Sequence, residues 1–157
     1  MTTSEELRTA DEIGSQLVRL VRLIERVQAQ YQVEHPDAVD QATYLLLVYL
    51  VKDGPRRAGA LAEAVHSDPS TVSRQVAHLV QLGLVERVAD PADGRATLLV
   101  ATEEGRRVFD ENRQLRNRAL ASMMSDWPDA ERRDFARLLT RFTDGFECHK
   151  ARTGARS

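Results

Sequence analysis

Between Pro69 and Gly83 the polar side chains include Ser70, Thr71, Ser73, Arg74, Gln75 and His78, and neither Glu nor Lys occurs in the stretch. Short hydroxyls, an amide, an imidazole and one guanidinium make a hydrogen-bonding surface with little bulk. Such a surface suits the floor of a DNA major groove. Arg takes guanine O6 and N7 together, Gln pairs with adenine, and Ser or Thr takes bases or phosphates. A helix that only faced water would more often carry Glu and Lys. A second pair, Asp93 and Arg95, brackets Gly94. A long cation just past a glycine can reach into a narrow minor groove, with Asp93 placed to hold it in one direction. The plain alternatives are a solvated helix and an exposed hairpin tip with no partner.

The surrounding residues supply the scaffold. Leu61, Ala62 and Val65 share one face of a short helix. His66, Ser67 and Asp68 form a turn. Asp68 can cap the next helix, and Pro69 suits its first position, where no N–H is needed. Val72, Val76 and Leu79 fall at i, i+4 and i+7 and form its buried stripe, and Gly83 ends it as a C′ glycine. Residues 84–88 and 97–101 read as two strands. Between them Pro91 and the Asp93–Gly94 pair mark a hairpin turn. The order is a helix-turn-helix followed by a wing, whose ordinary use is reading double-stranded DNA.

Long helices flank this module. From about residue 5 to 32, Ile13, Leu17, Leu20, Ile24, Val27 and Tyr31 trace a stripe, widened by Val18 and Val21. Pro36 disfavours helix at His35, and Asp37 is placed to cap a second helix over 37–52. That helix is apolar on nearly every face from Tyr44 to Val51, so it belongs at the centre. Asp53, Gly54 and Pro55 stop it. Arg56 and Arg57 follow, available to phosphate or to solvent. Thr102 is a plausible cap for a helix reaching about Ser125, with Val108, Leu115, Ala119 and Met123 on one stripe. Trp127, Pro128 and Asp129 break the chain. A last helix over about 130–148 carries Phe135, Leu138, Leu139, Phe142 and Phe146, and residues 151–157 read as a disordered tail. The terminal stripes exceed what one small winged module can cover, which predicts a homodimer. Two-fold symmetry then sets two recognition helices about one DNA turn apart on an inverted repeat.

The module resembles the winged helix of the MarR family of bacterial transcriptional regulators. The resemblance lies in Ser70-Thr71-Val72-Ser73-Arg74, in Gly83-Leu84-Val85 entering the wing, in Asp93-x-Arg95 at its tip, and in Leu99-x-x-Thr102-x-x-Gly105 after it. Ser67, at a turn position often apolar in such motifs, and Ala96, where many relatives carry a charge, depart from the pattern. The resemblance covers nearly the whole chain. It implies a mainly α fold with a small β wing, read as one domain over 1–157. Its dimerisation helices fall at about 5–32 and 107–148, and the winged module at about 37–101. It implies a homodimeric, ligand-responsive repressor on a pseudo-palindromic operator. It also implies a cleft for a small phenolic or lipophilic anion between the dimer helices and the winged module. Tyr31, His35, Tyr44 and Tyr49 are the candidates to line that cleft, with ordinary packing as the alternative for each.

Composition bounds the rest. The chain has 157 residues, 42% hydrophobic and 29% charged, with a net charge of −2. That is ordinary for a folded domain and excludes a nonspecific polycation. DNA binding must then rest on where the cations point. Aromatics make up 5%, so the core should be aliphatic. No apolar run approaches a membrane span, and the polar N-terminus does not read as a signal peptide, which predicts a cytoplasmic protein. Cys148 is the single cysteine and reads as an incidental thiol. The histidines at 35, 66, 78 and 149 lack metal-ligand spacing, and Gly83, Gly94 and Gly105 are too far apart for a phosphate loop. No enzymatic role, cofactor or metal is expected. The rival reading is a winged-helix protein-interaction module without DNA binding.

Overall fold

The computed structural model describes residues 3–36 and 38–154, the side chains of 150–154 excepted. Six helices and one hairpin follow in order: α1 (Ser4–Glu34), α2 (Gln41–Asp53), α3 (Ala58–Ala64), α4 (Pro69–Gln81), β1 (Val85–Asp90), β2 (Asp93–Ala101), α5 (Glu103–Met123) and α6 (Asp129–Gly154). The strands pair antiparallel. The chain forms two compact units, Met1–Phe109 and Asp110–Ser157.

In the first unit the core is aliphatic, as the scarcity of aromatics predicts. Leu46, Leu47 and Leu50 of α2 meet Leu61 and Ala62 of α3, Val72, Val76 and Leu79 of α4, and Leu84, Val85, Leu99 and Ala101 around the wing. The helical spacings found in the sequence are therefore the buried faces. α1 differs in kind. Thr3 and Glu6 close a capping box at its start, yet none of its 31 residues is buried.

α2 begins later than expected. Asp40, not Asp37, is its cap, accepting from the Thr43 amide at 2.9 Å and the Thr43 hydroxyl at 2.6 Å. Asp37 itself lies outside the described residues. The Asp–x–x–Thr spacing explains the shift, because one carboxylate satisfies both donors of the buried Thr43. Burial pushes the Asp40 carboxyl up, but these hydrogen bonds outweigh it and leave the group below the usual carboxylate range.

The joint after the wing gives Leu99-x-x-Thr102-x-x-Gly105 a physical reason. The Thr102 hydroxyl donates to the Gly83 carbonyl at 2.6 Å and accepts from the Gly105 amide at 3.0 Å. The Thr102 amide donates to the Leu84 carbonyl at 3.1 Å. A Cβ on Gly105 would stand 2.1 Å from that same Leu84 carbonyl oxygen, so only glycine lets α5 start there.

In the second unit α6 runs past the expected end near 148, and residues 151–154, read as tail, are helical. Residues 155–157 lie outside the described part. Trp127 packs edge-on against Phe135 at 5.6 Å across the break between α5 and α6. Leu138, Leu139, Phe142 and Phe146 remain exposed.

Candidate nucleic-acid interface

α4 is held at both ends and along one side. At its start the Asp68 Oδ1 accepts from the amides of Ser70 at 2.8 Å and Thr71 at 3.2 Å, with Pro69 in the first turn. The Ser70 hydroxyl also donates to Asp68. This hydroxyl contact, with the two amides and the nearby Arg74 charge, holds the Asp68 carboxyl below the usual range. At its end Gly83 takes φ +71°. The Leu84 amide reaches the Leu79 carbonyl at 2.9 Å, and the Gly83 amide reaches Val80 at 3.0 Å, a Schellman closure. Between these ends Val72, Val76 and Leu79 are sealed into the core. The α3–α4 turn passes through His66 at φ +50°, a left-handed position seldom taken by a residue other than glycine.

The six polar residues of α4 do not share one environment. Ser70, Ser73 and Arg74 are exposed, whereas Thr71, Gln75 and His78 are half-buried. The latter three line an open groove with Arg74, with Asp40 at the cap of α2 and with Thr43 of α2. Ser70 is committed to the cap and keeps only acceptor capacity for another partner. Arg74 lies 3.5 Å from the Thr71 hydroxyl and is otherwise free to reach outward.

The wing is shaped differently from the sequence expectation. The strands extend to Asp90 and from Asp93, so the loop is two residues, Pro91 and Ala92. The turn does not use Asp93–Gly94. Gly94 is not among the positive-φ glycines, so a type I′ turn is absent there. Pro91 presets the turn, and the Asp90 Oδ1 accepts from the Ala92 amide at 2.9 Å. The ladder pairs Ala89 with Thr97 and then Asp90 with Asp93. Gly94, Arg95 and Ala96 therefore bulge from β2, with Arg95 exposed. Asp93 does not grip the Arg95 side chain. Its Oδ1 accepts the Arg95 amide at 3.2 Å, and its Oδ2 lies 3.7 Å from Arg57.

Arg56 and Arg57 are both paired with carboxylates. Arg56 meets Asp53 at 3.2 Å, and its backbone bridges Leu99 of β2. Arg57 donates to Asp90 through Nε at 2.9 Å and Nη2 at 2.6 Å. That hydrogen bonding raises the Arg57 guanidinium and lowers the Asp90 carboxyl from their ordinary values. Sequence reasoning missed this pair. The one local hint is a long cation at a helix cap position, where a short acceptor is usual.

The four ring residues proposed for a ligand cleft fall into two settings. Tyr31 and His35 meet at 4.6 Å between ring centroids at the end of α1. Tyr44 and Tyr49 pack against the α2 side of the core, and the Tyr49 hydroxyl donates to the Ala64 carbonyl at 3.4 Å. No helix among the described residues is long and apolar enough to cross a membrane.

A capped recognition helix seated on an aliphatic core, followed by a two-stranded wing presenting a free guanidinium, defines a winged helix-turn-helix. Residues 39–96 match the MarR family model. The chain is 36% identical over 108 residues to the uncharacterized HTH-type transcriptional regulator YxaD of Bacillus subtilis (strain 168), covering 69% of this chain and 76% of that protein. Among solved structures it is similar to RV1404 from Mycobacterium tuberculosis, with 28% identity, TM-score 0.73, and 88% and 94% of the two chains covered. A MarR family protein from Bacillus stearothermophilus shares the fold at 23% identity and TM-score 0.77, over 89% and 96% of the chains. The chain belongs to the MarR family of winged helix-turn-helix, DNA-binding transcriptional regulators.

Proposed function

We propose that the protein is a homodimeric repressor in the cytoplasm that reads a pseudo-palindromic operator and releases it when a small aromatic or lipophilic molecule binds. The observation that carries operator reading is the outer face of α4. Arg74 lies across the helix from the buried Val72, Val76 and Leu79, exposed Ser73 stands beside it and half-buried Gln75 borders the groove, with no Glu or Lys among them. A face of this kind, fixed in direction by its own core, suits base edges in the major groove. Arg74 and Gln75 would read bases, Ser73 and Thr71 bases or phosphates, and Ser70 and His78 the flanks. Arg95 would enter the minor groove.

The dimer reading is supported by the apolar stripes of α1 and α6, each uncovered within its own unit. Relief from an effector requires a ligand that favours the non-binding dimer. A tenfold loss of DNA affinity needs about 1.4 kcal/mol of such bias. Tyr31 and His35, whose rings meet at the end of α1, and Tyr44 and Tyr49 of α2 are the residues that would meet an aromatic acid.

The test is selection of bound sequences from a random duplex pool, followed by titration of the recovered site at several salt concentrations. An inverted repeat bound far more tightly than random DNA, with affinity falling steeply in salt, is the expected result. Absence of any sequence preference would favour a protein-interaction module instead. A thermal-shift screen with aromatic acids such as salicylate should find a stabiliser that also weakens operator binding. Hits that leave DNA affinity unchanged would remove the effector from this reading.

A further inference from the structure

We propose that Arg57 is a positioning residue that holds the wing in its DNA-reading pose, an inference that rests on the operator-binding reading above. Arg57 stands at the cap position of α3, yet its side chain makes no cap hydrogen bond. It reaches instead to the wing, where Nε and Nη2 both donate to the Asp90 Oδ2 and Nη2 lies 3.7 Å from the Asp93 Oδ2. These two carboxylates stand on either side of the Pro91–Ala92 turn. Each passes the constraint on to the backbone, Asp90 to the Ala92 amide at 2.9 Å and Asp93 to the Arg95 amide at 3.2 Å. One guanidinium thus grips both legs of the hairpin, and the second leg leads directly to Arg95.

The strand pairing explains why a clamp is needed. Regular pairing ends at Ala89 and Thr97, and only Asp90 with Asp93 pairs beyond it. Gly94, Arg95 and Ala96 have no ladder partner in this register, so the usual fastening of a hairpin is missing where Arg95 sits. The backbone bonds between Arg56 and Leu99, at 3.2 and 2.8 Å, bring Arg57 alongside β2 and fix the point from which it reaches. Charge points the same way. Asp90 is almost fully buried, its side chain 10% exposed, and an unpaired carboxylate there would be costly. Two acids near the tip would also repel a phosphate backbone, and the single charge of Arg57 offsets part of that repulsion. With donors already committed to Asp90, Arg57 is poorly placed to serve as a phosphate contact itself.

The test has a readout without DNA and one with it, both on the full-length chain. Trypsin nicking after Arg95 reports how firmly the wing is held. Arg57→Gln and Asp90→Asn should each be nicked severalfold faster than the parent protein, at temperatures well below their melts. Arg57→Lys should fall between, because a point charge reaches Asp90 but cannot supply the two donors that converge on its Oδ2. If Arg57→Gln does not fold, the graded Arg57→Lys variant carries the same comparison. With the selected operator, Arg57→Gln and Arg95→Ala should each weaken binding, and the double variant should bind no worse than Arg95→Ala alone. Unchanged nicking in all variants overturns the proposal. So do additive losses in the cycle, which would mean that Arg57 touches phosphate on its own account. If the parent protein binds no DNA selectively, the operator reading fails separately, and the nicking series still decides whether Arg57 anchors the wing.

Discussion

Leu79 of α4 and Leu139 of α6 are the same residue on the apolar stripe of a helix, yet Leu79 is 0% exposed and Leu139 is 47% exposed. The difference separates two kinds of region. The winged module closes on itself: its buried apolar side chains all lie between residues 46 and 101 and come from every element of the module. α1 and α6 instead display stripes that nothing in their own unit covers. Long helices of this kind draw most of their stability from packing rather than from propensity. One region is therefore folded by its own core. α1 and α6 carry apolar stripes left uncovered, which a second copy of the chain would cover in the proposed dimer.

The largest expected effects lie in the self-contained region. Leu79→Ala should cost about 2–5 kcal/mol in urea melts, because it removes a sealed side chain and leaves a cavity. Gly105→Ala should be at least as damaging, since its new methyl would run into the Leu84 carbonyl at the α5 start. Both losses should be independent of protein concentration. Leu139→Ala should behave otherwise, with a cost that fades on dilution below the dimer dissociation range. Matching concentration dependence for Leu79 and Leu139 would erase the distinction between the regions.

The next effect tests the partner surface directly. Placing a charge in the stripe, as Leu139→Glu or Ile24→Glu, should convert a dimer into a monomer or an aggregate while the winged module keeps its fold. Burying one such side chain is worth roughly 1.5–3 kcal/mol, and two-fold symmetry counts each substitution twice. Light scattering with circular dichroism reads the outcome. A parent protein that is monomeric and well behaved at micromolar concentration would rule out the dimer.

The same division explains what could be read from the chain before its structure. The ends and the buried stripe of α4 were legible because their determinants are local. Asp68, Pro69 and Gly83 each act within a few residues, and the i, i+4, i+7 stripe needs only a core to face. The wing was legible as a hairpin but not in detail. Asp93–Gly94 looked like the turn, yet Pro91 and the Asp90 carboxylate set it earlier and pushed Gly94 into a bulge. Arg57 and Asp90 are 33 residues apart, and beyond the odd cation at a cap position nothing local points to their pairing. The sharing of α4 between exposed residues and a groove floored by Asp40 and Thr43 also depends on how α2 crosses it. The late start of α2 turned on which of two nearby aspartates had a threonine three residues on.

Smaller effects belong to the reading face. Arg74→Ala should cost about 1–3 kcal/mol for the selected operator and flatten the preference for at least one base pair. The protein's melt should hardly move, because Arg74 is exposed and makes one long contact, to Thr71. Equal weakening on operator and random DNA would reassign Arg74 to phosphate.

The smallest effect, and the one that best separates a DNA reader from a bare winged module, is at Arg95. Its side chain forms no ion pair among the described residues, and its own hydrogen bond is made by the backbone amide to Asp93. Truncation removes nothing that the fold uses, so stability should change by no more than about 0.5 kcal/mol. If the guanidinium enters a minor groove, its partner is a potential set by groove width rather than a base edge. Arg95→Ala should then weaken operator and variant sites alike, leave the major-groove preference in place, and make the salt slope shallower by about one unit. Asp93→Ala should act in the same direction but less strongly, because it releases the Arg95 amide and removes one of the two carboxylates near Arg57 while leaving the Arg95 cation in place. The measurement is a binding titration of both variants across salt concentrations, beside a thermal melt. An unchanged affinity with an unchanged melt would take the wing out of DNA binding and leave α4 to do the reading alone.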